Sequence, residues 1–280
     1  MAISIFDETM VNMTWPEVEK AAEDGAIIML PLAVIEQHGP HLSLGTDTFS
    51  AHSVCCLVKQ KLAYRGKKCL IAPPFYWGVN QATGAFPGSF SSRESTVRAC
   101  LYDICASLDR FGFKKVYGVN IHGDPLQMRS IIQGFQEATQ ALGIEAKYVL
   151  DKWKLGYLNG LLSDMNLTGE EPYILPMEPE NKGAVCFGEH TNRELHAGGC
   201  ETACMMAFHP ETVRQDIAKE LPVVIPSKEE LVKWVAGEGS REMTPRGYVG
   251  APAEYVNVDG LAKYMNLAEL IVNSIMDDLA

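Results

Sequence analysis

Apolar and polar positions along this chain follow two alternating periods, which predict a repeated strand–loop–helix order. Ala26 to Leu32 is a continuous apolar run of strand length, as expected of a strand buried on both faces. A helix start precedes it, with Thr14 as N-cap and Pro16 in the first turn. That helix runs to about Glu23, and Asp24-Gly25 turns into the strand. Helical spacing then covers Thr46 to Tyr64 and closes at Arg65-Gly66, and a short strand lies between Lys68 and Pro73. Ser92 to Phe111 reads as helix, Lys115 to Asn120 as strand, Pro125 to Leu142 as helix and Glu145 to Leu150 as strand. The rhythm implies a largely parallel sheet sandwiched by helices.

Beyond Gly156 the pattern weakens and reads as an irregular excursion to about Phe187. A glycine-rich turn at His196 follows, then a helix with Glu201 in its first turn, and a last helix from Asp259 to Leu279. No repeat, low-complexity tract or clean boundary interrupts the chain. The expectation is one domain over 1–280, with an irregular insertion around 156–190.

Composition narrows the partners. The 280 residues are 47% hydrophobic and 21% charged, the balance of an ordinary globule. A net charge of −11 argues against a nucleic-acid or anionic-membrane partner. No apolar run approaches the ~20 residues that span a bilayer, and the first residues carry no basic stretch of a secretory signal. A cytoplasmic location is the expectation. Of eight cysteines, Cys55, Cys56, Cys100, Cys105 and Cys204 lie in helical apolar patterns and Cys69 opens a strand, so buried thiols are expected rather than disulfides.

Candidate chemistry concentrates between Leu30 and Asp47. Glu36 and His38 are two apart, so on an extended backbone their side chains point the same way. Glycines and a proline then let the loop fold back and bring Asp47 towards them. Oxygen ligands mixed with imidazole suit Zn, Mn or Fe, and a carboxylate among imidazoles can bridge two cations. The plainer alternative is a polar loop capping the helix near Thr46, with Thr46 or Asp47 as N-cap and His41 solvated. Ligands collect at the carboxyl ends of parallel strands. Glu36, His38 and Asp47 follow one strand, and His122 and Asp124 follow another, on the same sheet edge. The long loop 73–92 follows a third strand end and is read as lining a substrate site.

Together these motifs resemble the creatininase (creatinine amidohydrolase) family. The pattern E-Q-H-G-P-H-L-x-L-G-T-D spans Glu36 to Asp47, N-x-H falls at Asn120 to His122, and H-A-G-x-x-E-T falls at His196 to Thr202. Phe86-Pro87-Gly88-Ser89 and Gly250-Ala251-Pro252 resemble two further family elements. The resemblance implies a three-layer α/β/α fold, a homohexamer and two divalent transition metal ions per chain (Zn, Mn or Fe). Glu36, Asp47 and His122 would hold one metal. His38, the bridging Asp47 and Asp124 would hold the other, with Glu201 as the alternative to Asp124. His196 and Glu201 match the catalytic segment, and Asn80, Ser89, Ile121 and His190 are candidate substrate contacts.

Creatininase has tryptophans just before H-A-G. Here Glu189 to Leu195 is polar, which implies different pocket walls. The implied activity is hydrolysis of a small, cyclic amide or related ring by metal-activated water. Alternatives are a formamide deformylase or peptidase-like amidohydrolase, opening of a cyclic keto-polyol, and a non-catalytic metal-dependent binding protein.

Overall fold

A computed structural model describes residues 4–179, 185–190 and 193–280. Among these, five strands form one parallel sheet: β1 (Ile27–Leu32), β2 (Cys69–Ile71), β3 (Lys115–Asn120), β4 (Glu145–Asp151) and β5 (Ile174–Met177). Their order across the sheet is β2-β1-β3-β4-β5. In register, Leu32 lies opposite Asn120, so the loops after β1 and β3 leave from the same height. This places Glu36 and His122 on one edge.

Ten α-helices accompany the sheet among the described residues: α1 (Trp15–Glu23), α2 (Thr46–Tyr64), α3 (Glu94–Arg110), α4 (Pro125–Ala141), α5 (Lys152–Leu161), α6 (Gly199–Phe208), α7 (Gln215–Ala218), α8 (Lys228–Val235), α9 (Ser240–Met243) and α10 (Gly260–Asp278). Side-chain alternation divides the core between two faces. Ile28, Leu30, Leu32, Val116 and Tyr148 pack against α3, α4 and α5. Ile27, Met29, Tyr117, Val119 and Val149 pack against α2 and α10. Every residue of β1 is buried, which is why it reads as an unbroken apolar run. This is the three-layer sandwich expected.

Two backbone details let these layers close. Pro31 sits in an inner strand, where a missing N–H would break a ladder. The carbonyls of Met29 and Pro31 accept from Ala72 and Phe75 on the β2 side, but the ladder there ends at Met29 opposite Ile71. The absent N–H therefore falls past the end of β2. Gly118 of β3 supplies the second detail. A Cβ there would lie 2.7 Å from the Phe135 ring and 2.9 Å from Leu32, so only glycine lets α4 settle onto the sheet.

The stretch expected to be irregular is more ordered than its sequence suggests. It contains most of α5 and the edge strand β5, which pairs with β4 from Tyr148↔Ile174 to Asp151↔Met177. Gly156 and Gly160 inside α5 dilute the helical pattern. Positions 180–184, 191 and 192 lie outside the described residues. No helix among the described residues is long and apolar enough to cross a membrane.

Candidate metal centre and active site

Four chain segments meet above the carboxyl ends of β1 and β3. The loop after β1 brings Glu36 and His38, the first turn of α2 brings Asp47, the loop after β3 brings His122, and the turn into α6 brings His196 and Glu201. Glu36, His38 and Asp47 are each no more than 2% exposed, and His122 and His196 are buried with them.

Asp47 is the pivot. Its Oδ2 lies 3.2 Å from His122 Nδ1, and its Oδ1 lies 3.2 Å from His38 Nε2. Glu36 Oε1 is 2.9 Å from His122 Nδ1 and 3.9 Å from both His38 Nε2 and His196 Nδ1. The outer nitrogen of each imidazole meets a main-chain carbonyl: His38 Nδ1 on Glu36 at 3.2 Å, His122 Nε2 on Val79 at 3.1 Å and His196 Nε2 on Gln37 at 2.7 Å. A carbonyl only accepts, so each outer nitrogen carries a hydrogen, and each inner nitrogen faces the carboxylates with a proton or, once a cation replaces it, a lone pair. Metal-binding histidines are oriented in this way.

Three groups of ligand atoms converge within 4.8 Å: Glu36, His38 and His196; Glu36, Asp47 and His122; and His38, Asp47 and Glu201. His38 Nε2 and Asp47 Oδ2 are buried without a hydrogen-bond partner, although each faces an ion-pair partner. Buried polar atoms left in this state need an explanation. A nitrogen–oxygen donor set around cations supplies one, so the residues fit divalent transition metals.

The electrostatics agree. Burial pushes the Glu36 carboxyl up, but His122 and His196 outweigh it and hold it below the usual carboxylate range. Burial likewise opposes the charge of Asp47, which His38 and His122 hold far down. Against its own burial, His38 is lifted to about 10 by Asp47 and then Glu36, and Glu36 and Asp47 raise His122 in the same way. For His196, burial prevails over the acids and lowers it. The two carboxylates thus demand two positive charges, whether protons or cations supply them.

The structure places Asp124, expected as a metal ligand, at a helix start on the cavity wall. It is the N-cap of α4, and its Oδ1 accepts from the N–H groups of Leu126 at 2.8 Å and Gln127 at 3.3 Å. Its Oδ2 accepts from Gln81 N–H at 2.6 Å. No convergent ligand group among the described residues includes it. Glu201 lies in one instead. Its Oε2 also accepts from Ala197 N–H at 2.5 Å, across a turn in which Ala197 adopts φ +50°. A buried non-glycine residue there is strained, and such strain gathers at functional sites.

The expected substrate contacts divide. Ile121 lines the cavity above the centre. Asn80 instead braces Thr83, its Oδ1 accepting from Thr83 N–H at 3.2 Å, while the Thr83 hydroxyl donates to Glu36 Oε2. Ser89 Oγ accepts from Gln37 N–H at 3.0 Å and so steadies the loop that carries the acids. His190 is held by Glu254, Nδ1 to Oε1 at 2.5 Å, and does not line the cavity. His41 is not solvated. It is fully buried with its Nε2 3.0 Å from Thr202 Oγ1, and burial, then His38 and His196, push it down to about 4.

A cavity of about 270 Å³ opens onto this floor, walled by Met128, Trp153, Tyr157, Trp234 and Val235. Sequence reasoning missed these walls and three supports. Trp234 packs its ring 5.5 Å from that of His196. Glu194 clamps the start of α6, accepting from Gly199 and Cys200 N–H at 2.6 and 2.9 Å. Thr83 completes the set. Of these, Glu194 left a signal, since an acid just before a glycine-rich helix start is a cap candidate.

Among known proteins, the family model described as creatinine amidohydrolase matches residues 11–275. A creatinine amidohydrolase of Pseudomonas putida is 26% identical over 220 residues, 75% of each chain. A mycofactocin precursor peptide peptidase of Mycobacterium ulcerans is 24% identical over 269 residues, 94% of this chain and 85% of that one. A solved structure of a creatininase mutant, described as Zn-Zn type, superposes with a TM-score of 0.64 at 20% identity and covers 99% of this chain and 98% of its own. With nearly its whole length matched and its ligand-bearing loops in the matched order, the chain belongs to the creatininase family of hydrolases.

Proposed function

We propose that this chain is a two-metal hydrolase of a small, cyclic amide or related ring compound. One observation carries the reading: the buried Asp47 carboxylate turns one oxygen to His122 and the other to His38, each at 3.2 Å. Glu36, Asp47 and His122 would hold one cation, and His38, Asp47 and Glu201 the other. Two divalent cations of Zn or Mn type, when bound, acidify a water and polarise a carbonyl. The chain's own residues do the rest. His196 keeps its Nε2 hydrogen on the Gln37 carbonyl, so Nδ1 is the atom that takes a proton and returns it to the leaving nitrogen. Thr83 and the Val79 carbonyl hold Glu36 and His122 in place. Trp234 packs its ring at a tilt against His196 and helps shield it from water.

The cavity suits a compact substrate, since about 270 Å³ lies just below the range of drug-sized sites. A second reading, cleavage of a peptide amide, draws on the peptidase relative, which matches 94% of this chain. The test is metal analysis of chelator-free protein together with a hydrolysis screen of creatinine, small lactams, formamides, cyclic keto-polyols and short peptides. About two equivalents of transition metal with turnover of a ring amide is the expected result. Turnover of peptides alone favours the second reading. Protein that binds no metal and stays inactive with added Zn or Mn overturns both.

A further inference from the structure

Cys186 and Cys200 are fourteen positions apart in sequence, yet their thiol sulfurs lie 3.0 Å apart. Each is held by its own anchors. Cys186 bridges antiparallel to Val258, flanked by Phe187 N–H on the Asn257 carbonyl and Asp259 N–H on the Val185 carbonyl, both 2.9 Å. Cys200 sits in the first turn of α6, where its N–H is bound by Glu194. Two separately fixed backbones thus present sulfur to sulfur, and closing about 1 Å more would reach bonding distance.

We propose that Cys186 and Cys200 are a reversible disulfide site, closed by a small hydroperoxide. The route is through Cys200, which lines a cavity of about 150 Å³ with His196, Glu201 and Lys263. Cys186 is buried behind it, 5% exposed. The cavity admits hydrogen peroxide and is too small for glutathione disulfide. The Cys200 sulfur displaces hydroxide from the peroxide, forming a sulfenic acid, and the hydroxide leaves with the thiol proton as water. The Cys186 sulfur then attacks that sulfur, and the hydroxyl leaves with the second thiol proton as another water. Two thiols lose two electrons and one peroxide is reduced to two waters. Partial burial of Cys200 and full burial of Cys186 make the reaction slow.

The bond would staple the approach containing Glu194 and His196 to the start of α6. Closing a loop of this length constrains the unfolded chain enough to raise the melting temperature by roughly 6–10 °C.

The full chain, as purified, is incubated with hydrogen peroxide, quenched, alkylated and mapped by peptide mass spectrometry without reduction, with melting followed in parallel. A Cys186–Cys200 peptide two hydrogens lighter, a raised melting temperature and reversal of both by dithiothreitol are expected. The Cys186→Ala chain should show no such rise. Three results overturn the proposal: both thiols alkylated after treatment, a bond to another cysteine instead, or Cys200 passing to sulfinic acid without pairing. Mapping on the unaltered chain decides the matter even where the variant folds poorly.

Discussion

Replacing Asp124 with alanine separates two tasks that its sequence position leaves confounded. If Asp124 is a cap and not a ligand, Asp124→Ala should cost stability and leave metal content alone. The carboxylate accepts from three main-chain N–H groups and is 4% exposed. Losing the cap of α4 costs about 1 kcal/mol, and up to 2 in unfavourable cases. Losing the part-buried, charge-assisted bond from Gln81 N–H costs a further 1.5–3 kcal/mol or so. The sum, about 3 kcal/mol, corresponds to a fall in melting temperature of roughly 6–10 °C. That is less than the roughly 5–15 kcal/mol by which a domain is ordinarily stable, so the variant should still fold. Urea unfolding gives the loss, and metal analysis of the same preparation gives the ligand count. Asp124→Asn is the informative companion. Its amide oxygen can still cap Leu126 and Gln127, but its NH₂ then meets the Gln81 N–H, so it should recover only the capping part. The reasoning is refuted if Asp124→Ala loses one equivalent of metal while its stability falls by less than about 1 kcal/mol.

Four other outcomes follow from the same geometry. Asp47→Ala should lose metal and turnover together, checked by metal analysis and a hydrolysis assay; a metal-replete, inactive variant would break its assignment as the bridge. His196→Gln should keep its metal but lose at least about 100-fold in kcat, with KM changed far less. Gly118→Ala should cost about 1–3 kcal/mol by overpacking, because its Cβ would press into Phe135 and Leu32; urea unfolding reads the loss, and adding Phe135→Leu should recover part of it. Asp278 opposes its own burial through Lys147, Tyr117 and Lys115, which hold it below its ordinary value. A depressed acid stabilises the fold above its unfolded pKa, about 4, and loses that contribution as pH falls below it. The stability gap between the native chain and Asp278→Asn, measured by urea midpoint, should therefore be constant above about pH 5 and shrink below about 4.

How far the sequence revealed this molecule depended on whether the deciding residues were neighbours in the chain. Glu36, His38 and Asp47 lie within twelve positions after an unbroken apolar strand, so their convergence was legible. The parallel sheet was legible too, because strand and helix periods alternate cleanly as far as β4. Asp124-Pro125 carried two meanings, since an acid followed by proline is both a helix start and a carboxylate after a strand. Only the partners of its oxygens separate them. The walls were hidden for a different reason. Trp153 and Tyr157 sit on a helix whose glycines blur its period, and Trp234 arrives from a helix far along the chain. His190 looked free to meet a ligand because its partner, Glu254, lies 64 positions away.

The three imidazoles take their bearings from peptide carbonyls at positions 36, 37 and 79. A peptide carbonyl survives any exchange of the side chain beside it. A lineage carrying this centre can therefore replace the residues around it without having to rediscover how to aim its histidines. New walls at 153, 157 and 234 would alter which molecule is accepted, while the lone pairs beneath stay pointed at the same spot. The same property commends those three wall positions, rather than the floor, as the place to randomise when a new specificity is sought on this scaffold.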